Sequence, residues 1–344
     1  MTHVTSHERP GVYSAYDASS VVRTADNAKT VGIAALWDGA VGGETFVLTT
    51  YEQAVETFGA SAAITTLIRL LFLNGGGTVV AAPVAGEDYD AAFAALEEQE
   101  NIDLVLCDST KLAVHQKLRD SVVNASNNKK ERIAVVPAPP GQPAELAAHA
   151  GEINSPRVVI AAPGDADGHT TTIAAAVAGL IAGEPDPARP LNGAQIYGLN
   201  GLSAKYSDND IDLLVRGGVT PLETRNGVVS ILRAVTTCTK NGTAPDTTWR
   251  ELTAILVVDD VIATVRNSLH NKFRRVKNTQ QTRGAIRSQV ILDLENKLAA
   301  ESITGYDAVT VTQKEDDPTV CLVDFSFTVA HGLNQIWLTA HITV

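Results

Sequence analysis

Short apolar runs alternate with amphipathic segments along most of the chain, and this pattern predicts a mixed α/β fold. Between about residues 86 and 200 the alternation is regular. Alternating strands and helices are typical of a parallel sheet covered by helices. We therefore expect a parallel α/β layer here, with the strands "IDLVLCD", "RIAVVPAP" and "RVVIAAP" and the helices "YDAAFAALEEQ", "AELAAHAGEI" and "TTIAAAVAGLIAG".

The segments before and after this layer also carry clear patterns. "TVGIAAL" (30–36), "TFVLTT" (45–50) and "TVVAAPV" (78–84) predict strands, and the Pro- and Gly-rich stretch 183–195 predicts a linker that leads out of the layer. Further on, Asn226-Gly227 predicts a tight β-hairpin.

Two helix starts can be predicted in the second half of the chain. Ser207 and Asp208 are candidate N-cap residues for a helix that ends at Gly217. Thr248 and Glu251 fit a capping box, which would open a long helix. A second long helix follows, and then closing strands on either side of the acidic turn "KEDDP".

The chain ends on the alternating segment "NQIWLTAHITV", residues 334–344. Period-two alternation predicts a half-buried strand. Exposed strand edges are normally protected by charge or proline, and this segment has no Lys, Pro, Asp or Glu. The pattern therefore predicts a strand that needs a sheet to join.

Composition narrows the possible functions. The 344 residues are 44% hydrophobic and carry a net charge of −12, which argues against binding nucleic acid over a broad surface. Cys107, Cys238 and Cys321 each lie in an apolar run, so we expect three separate buried thiols. No secretion signal or membrane-spanning run is seen, so we expect a protein folded in the cytoplasm.

The glycine-rich segment "LNGGGTVV" does not predict a nucleotide site. A phosphate-binding loop needs the order strand, glycines, helix, so that the helix N-terminus faces the anion. Here a helix precedes the glycines and a strand follows them. We expect a helix stop and a turn.

No other motif predicts an active site, a cofactor or a metal. "GDADGHTTT" (164–172) lacks both the lysine of a P-loop and the late glutamate of a calcium loop, so Asp165 and Asp167 are expected to cap a helix near Thr170. Asp259 and Asp260 point about 100° apart on a helix, which disfavours acid–base work. His3, His7 and His331 are placed in arms, and His115, His149 and His270 on helix surfaces.

One charged stretch stands out against the acidic total. Residues 261–292 contain no Asp or Glu and carry seven positive side chains: Arg266, Lys272, Arg274, Arg275, Lys277, Arg283 and Arg287. A solvated helical surface and a docking face for an acidic protein both explain this basic tract. Nucleic acid is the third choice, because few aromatic residues are interleaved with the charges.

Taken in order, these segments resemble the contractile tail sheath proteins of bacteriophages, R-type bacteriocins and related contractile injection systems. The resemblance rests on the opening "ERPGVY", the strand "TVGIAAL", "LNGGGTVVAAPV", "RPLNGAQIYGLNGL", "GGVTPLETRNGVVSILRAVTT", the long helix "LTAILVVDDVIATVRNSLHNKF" and the closing strands. It covers most of the chain and is weakest over 86–200.

The resemblance implies an α/β (mixed α+β) fold with an inner domain built from both chain ends and an inserted peripheral domain. The implied parts are an N-terminal arm (1–20), the inner domain (21–85 and 201–329), the outer domain (86–200) and a C-terminal donor-strand arm (330–344). Both arms would add strands to neighbouring subunits, and the strand-exchange residues would be Val12, Tyr13, Ile336, Trp337, Leu338, Ala340, Ile342 and Val344.

The family's function would then be the function of this chain: a structural subunit that polymerises around an inner tail tube and contracts. The implied partners are the chain itself, the tube protein, and baseplate and tail-terminator proteins, with no nucleic acid or membrane contact and no cofactor. The basic tract would face the tube. Assembly would take place in the bacterial cytoplasm, and the product would be a virion or phage-tail-like particle released by lysis. A cytoplasmic α/β enzyme, or another self-assembling tail protein, remains as an alternative.

Overall fold

The computed structural model describes residues 29–341. Its helices are α1 (Tyr51–Phe58), α2 (Ala63–Leu73), α3 (Tyr89–Glu98), α4 (Leu112–Asn127), α5 (Pro143–Ile153), α6 (Thr170–Gly183), α7 (Asp208–Arg216), α8 (Leu252–Lys272) and α9 (Gln280–Ala299). Its strands are β1 (Thr30–Leu36), β2 (Phe46–Leu48), β3 (Thr78–Val84), β4 (Leu104–Cys107), β5 (Ile133–Pro137), β6 (Val158–Ala162), β7 (Gln195–Ile196), β8 (Thr220–Arg225), β9 (Val228–Ile231), β10 (Lys240–Asn241), β11 (Ala244–Pro245), β12 (Ile303–Tyr306), β13 (Thr310–Gln313), β14 (Cys321–Asp324) and β15 (Phe327–Val329).

Within these residues, nine strands form one sheet in the order β2-β3-β1-β4-β5-β6-β8-β9-β7. The six strands from β3 to β8 run parallel, and the others pair antiparallel at the two ends. This confirms the predicted parallel layer. Because β1 pairs with β4 and β6 pairs with β8, the limits predicted at residues 85 and 200 both fall inside one sheet. As a division between inner and outer parts of a polymer, those limits stay a prediction.

Helices cover both faces of the sheet, so its strands are buried on both sides and read as continuous apolar runs. One face packs against α1, α2 and α6, and the other against α3, α4, α5 and part of α7. The strand β6 has every residue buried, which matches its sequence "VVIAA".

The predicted helix stop at the triple glycine is confirmed, and the same glycines also let two helices approach closely. Gly75 has φ +117°, and a Cβ atom there would lie 2.7 Å from the Cα of Gly183 in α6. A Cβ at Gly179 would lie 2.7 Å from the carbonyl oxygen of Leu71 in α2. The main chains of α2 and α6 therefore touch where only glycine fits.

The C-terminal unit is separate from the sheet and has a core of its own. Helices α8 and α9 pack together through Val257, Val261, Val290 and Leu294, and the small sheets β12–β15 and β13–β14 cover this core. The first turn of α8 instead packs into the core of the large sheet, through Leu252 and Ile255. Helix α8 thus joins the two units.

Some of the predictions for single turns and helix ends are confirmed, and others are wrong. Of the two N-cap candidates for α7, Ser207 is confirmed, and Asp208 is the first residue of the helix. The helix stop at Gly217 is confirmed too. The hairpin β8–β9 is confirmed as well, with positive φ at Asn226 and Gly227.

The capping box at Thr248 is wrong. The main-chain N–H of Thr248 donates to Asp246 Oδ1 at 2.8 Å, in a local turn. Glu251 bonds Arg233, and α8 begins only at Leu252.

The placement of His115 and the linker at 183–195 are also wrong. His115 is fully buried, and its Nδ1 lies 2.9 Å from Nε2 of the half-buried His149. The linker is instead a packed loop, because Leu191 is buried in the core and the Gly193 N–H donates to the Ile231 carbonyl at 2.7 Å.

Candidate functional site

Two small sheets at the C-terminal end of the fold offer open strand edges. β12 pairs antiparallel with β15, and β13 pairs antiparallel with β14 across the acidic turn. Within the described residues, each of these four strands has one paired edge. One face of these sheets packs on the C-terminal core through side chains such as Val311, Val323 and Phe327. A backbone edge beside a covered apolar face is well suited to accept a further strand.

The C-terminal arm leaves the same region without pairing. Residues 330–341 form no regular secondary structure. Ile336, Trp337 and Leu338 are 79%, 90% and 90% exposed, and Ala340 is exposed too. The predicted terminal strand is therefore not formed within the single chain as far as residue 341. Val12, Tyr13, Ile342 and Val344 lie outside the described residues, and the strand exchange itself stays a prediction.

The base of the arm lies against a loop of the large α/β unit. The Ala330 N–H donates to the Ser302 carbonyl at 3.1 Å, and Asn192 Nδ2 donates to Asn334 Oδ1 at 2.6 Å. A groove of about 620 Å³ runs along this contact, lined by residues 186–190, the end of α9, the start of β12 and residues 330–333. The groove lies beside the residues from which the arm departs.

The structure divides the basic tract into two groups. Three side chains form a cluster at the turn between α8 and α9: Arg274, Arg275 and Lys277, all exposed. The other four bond within the subunit: Arg266 to Glu131, Lys272 to Gln289, Arg283 to Asn278 and Gln313, and Arg287 to the Val309 carbonyl. In the turn cluster, Arg274 Nε also donates to the His270 carbonyl at 3.2 Å, a contact within its own turn. The role of the whole tract in facing a tube stays a prediction.

Ion pairs fasten the long helix α8 to the large sheet. Arg157 holds Asp259 through two hydrogen bonds of 2.7 and 2.8 Å, and Arg266 holds Glu131 at 3.1 and 2.5 Å. Burial would raise the pKa of Glu131, but the hydrogen bonds and charge of Arg266 outweigh it and lower that pKa. Asp260 pairs with Lys297 at 2.5 Å. Asp259 and Asp260 thus have separate cationic partners, as structural carboxylates do.

The place where a parallel α/β sheet usually binds a ligand is occupied by protein groups here. That place is the carboxyl end of β1 and β4, where the strand order reverses. Asp108 lies there, and its oxygens accept from the Tyr89 hydroxyl at 2.5 Å and the Leu36 N–H at 2.8 Å. Burial, together with this hydrogen bond, raises the pKa of Tyr89. Asp108 and Tyr89 therefore bond groups of the protein itself and stabilise the fold.

The loop before α6 is likewise accounted for by internal bonds. Asp165, Asp167 and His169 lie close enough together to suggest a cation site. However, Asp165 already accepts from the N–H groups of Asp167 and His169 at 3.0 and 2.9 Å, and from the Thr172 hydroxyl at 2.7 Å. The predicted capping of α6 by Asp165 and Asp167 is wrong, because the N-cap position is His169 and no side chain caps the helix. Asp165 instead holds the loop that leads into α6.

Taken together, the described residues define a structural protein class. Protein groups occupy the usual ligand position of its α/β unit, and this unit is joined to a C-terminal unit with open strand edges and an exposed apolar arm. No helix of residues 29–341 is long and apolar enough to cross a membrane.

Comparison with known proteins identifies the family. Residues 82–237 match the phage tail sheath protein central domain, and residues 244–343 match the phage tail sheath C-terminal domain. The chain belongs to the phage tail sheath family.

A sequence relative and two solved structures agree with this assignment. The chain is 28% identical over 287 residues to the tail sheath protein of Bacillus phage SP01, an alignment that covers 78% of this chain but only 47% of that relative. Its fold is similar to a chain of the anti-feeding prophage baseplate (TM-score 0.77, 16% identity, 99% of this chain and 100% of that chain). It is also similar to the contracted helical sheath of that particle (TM-score 0.73, 15% identity, 98% and 99%).

Proposed function

We propose that the chain is a structural subunit of a contractile tail sheath. It polymerises into a helical tube around an inner tail tube, contracts, and drives that tube through a target cell envelope. It is not an enzyme, and it needs no cofactor. The observation that carries the proposal is the exposed, alternating arm beside open strand edges, in a chain of the phage tail sheath family.

Strand exchange explains both features at once. An arm that pairs with a neighbour's β12–β15 or β13–β14 sheet gains main-chain hydrogen bonds, and its alternate side chains set the register. Burying a large apolar side chain such as Ile336 or Leu338 contributes about 1.5–3 kcal/mol, while ordering each arm residue costs about 1–2 kcal/mol. One arm alone is therefore only marginally bound. A lattice in which every subunit donates and accepts is cooperative, and head-to-tail contacts that do not close generate a filament.

The proposed contact with the inner tube uses the turn cluster of Arg274, Arg275 and Lys277. These side chains are exposed at one end of the α8–α9 pair. Long-range charge pairing sets register and association rate more than affinity, which suits a surface that must later release its partner. Baseplate and tail-terminator proteins would bind the two ends of the polymer. The mature location would be a virion or phage-tail-like particle, assembled in the host cytoplasm.

Electron microscopy tests the polymer directly. The purified full chain, concentrated and negatively stained, is compared with a variant that ends at Leu333. We expect striated tubes from the full chain and none from the truncated one. Discrete small particles from both proteins would overturn the proposal.

A second experiment tests the tube contact. Changing Arg274, Arg275 and Lys277 together to Glu should abolish assembly that depends on the tube protein. The matched control reverses the exposed Arg216 and Arg225, which lie on α7 and β8. Unchanged assembly of the first variant would exclude the turn cluster as the tube contact.

A further inference from the structure

The base of the C-terminal arm passes over a loop whose shape is fixed at both ends. At the start of this loop, residues 184–194, Asp186 Oδ1 accepts from the Ala188 N–H at 2.9 Å, and its carbonyl accepts from the Arg189 N–H at 3.2 Å. At its end, Leu191 is buried in the large core, and Gly193 and Ala194 exchange hydrogen bonds with Ile231 of β9 at 2.7 and 3.1 Å. Pro185, Pro187 and Pro190 further restrict its backbone.

Gly332 of the arm lies directly against Pro190 of this loop. A Cβ atom at Gly332 would overlap the Cγ of Pro190 and would lie 3.0 Å from its Cβ. The pyrrolidine ring cannot rotate away as a long side chain could. A residue larger than glycine at position 332 must therefore displace the arm.

Polar contacts, one to Ser302 just before β12 and one to the loop, lie on either side of Gly332. Before it, the Ala330 N–H bonds the Ser302 carbonyl at 3.1 Å. After it, Asn192 Nδ2 bonds Asn334 Oδ1 at 2.6 Å. Beyond this second contact no hydrogen bond joins the described part of the arm to the rest of the subunit, and Ile336 is 79% exposed. The chain is thus held at three successive points before it leaves the subunit.

We propose that residues 186–192 are a clamp that sets the direction in which the C-terminal arm leaves the subunit, with Gly332 seated on Pro190 and Asn334 bonded to Asn192. This inference rests on the proposed function. An arm whose base is fixed can adopt fewer orientations, so its effective concentration at the strand edge of one particular neighbour is higher. Pro190 and Asn192 act as positioning residues for strand exchange and take no part in the exchanged sheet.

Four variants test the clamp in the full chain. Gly332→Ala should lift the arm and raise the concentration needed for tubes about tenfold or more, equivalent to at least ~1.4 kcal/mol per arm. Adding Pro190→Ala removes the ring atom that the new methyl would meet, so the double variant should recover most of the loss. Gly284→Ala, a control in α9 where a Cβ meets nothing within 4 Å, should leave assembly unchanged. Asn192→Ala should give a smaller rise.

A distance measurement on dilute subunits separates the clamp from assembly. Spin labels at Gln335 and on α7 at Asp212, in a background without the half-exposed Cys321, should give a narrow distance distribution that broadens or shifts in Gly332→Ala. A broad distribution in the parent chain would overturn the clamp. The clamp would also be overturned if Gly332→Ala assembled as well as the parent while the chain ending at Leu333 formed no tubes. The proposed function would stand in that case. Tubes from the truncated chain would instead refute strand exchange, and the distance measurement alone would decide the clamp.

Discussion

The ion pair between Arg157 and Asp259 should stabilise the whole fold, because it joins α8 to the large sheet. Its side chains are only 15% and 16% exposed, and two hydrogen bonds of 2.7 and 2.8 Å connect them. Removing one partner of a buried pair costs about 3–5 kcal/mol, since the other charge is left without compensation. Asp259→Asn keeps one acceptor, so we expect a loss of about 3 kcal/mol in the free energy of unfolding.

Urea unfolding of dilute protein, followed by circular dichroism at neutral pH, measures this loss. The matched control is Asp212→Asn on α7, which breaks an ion pair with Arg216 whose side chains are 66% and 74% exposed. Exposed pairs contribute little, so the control should lose less than about 0.5 kcal/mol. The double variant Arg157→Met with Asp259→Leu should recover much of the loss, because apolar side chains often replace a buried pair at little cost. Equal losses in Asp259→Asn and Asp212→Asn would refute the reasoning.

Two further predictions concern the packing of the large unit. Gly179→Ala should lower stability by about 1–3 kcal/mol, because the new methyl meets the Leu71 carbonyl at 2.7 Å, whereas Gly284→Ala should not; equal melting temperatures would contradict the close approach of α2 and α6. Burial lowers the pKa of His115 to about 4, below its unfolded value of 6.5, so its contribution is complete above pH 6.5 and is lost as the pH falls toward 4. Urea midpoints at pH 7.5 and 5 should therefore differ by less in His115→Gln than in the parent, and an identical pH dependence would show that another group is responsible.

The parallel sheet could be predicted from sequence because its signals are local. Each buried strand is a short apolar run, and each covering helix has its own apolar periodicity. Strand order within the sheet is not local: β1 lies between β3 and β4, and nothing in "TVGIAAL" specifies that arrangement.

Sequence reasoning misses contacts between residues that lie far apart in the chain. His115 looks like any surface histidine of a helix until His149, from another helix, bonds its Nδ1 at 2.9 Å. The Ser109 carbonyl, six residues earlier, lies 2.6 Å from Nε2 on the other side of the ring, so only the contact with His149 comes from a distant segment. The charge count over residues 261–292 likewise could not show that Arg266 pairs with Glu131, which lies 135 residues earlier in the chain. Composition located the basic tract, but only the fold shows which of its side chains bond distant parts of the subunit.

The C-terminal arm illustrates a different limit, because its partner belongs to another molecule in the proposed polymer. Alternation in "NQIWLTAHITV" specifies a strand, yet a strand is stable only when its main-chain groups are paired. Within the described residues, the single chain provides the open edges of β12–β15 and β13–β14 but leaves the arm exposed over residues 335–341. An arm that folded back would pair its main-chain groups with the strand edges of its own subunit. Neither the arm nor the edges would then be free to join a neighbour, and the polymer would stop growing. A clamp that directs the arm away from its own edges would therefore favour exchange between subunits over self-pairing, which is why loosening Gly332 should yield closed monomers as well as weaker tubes.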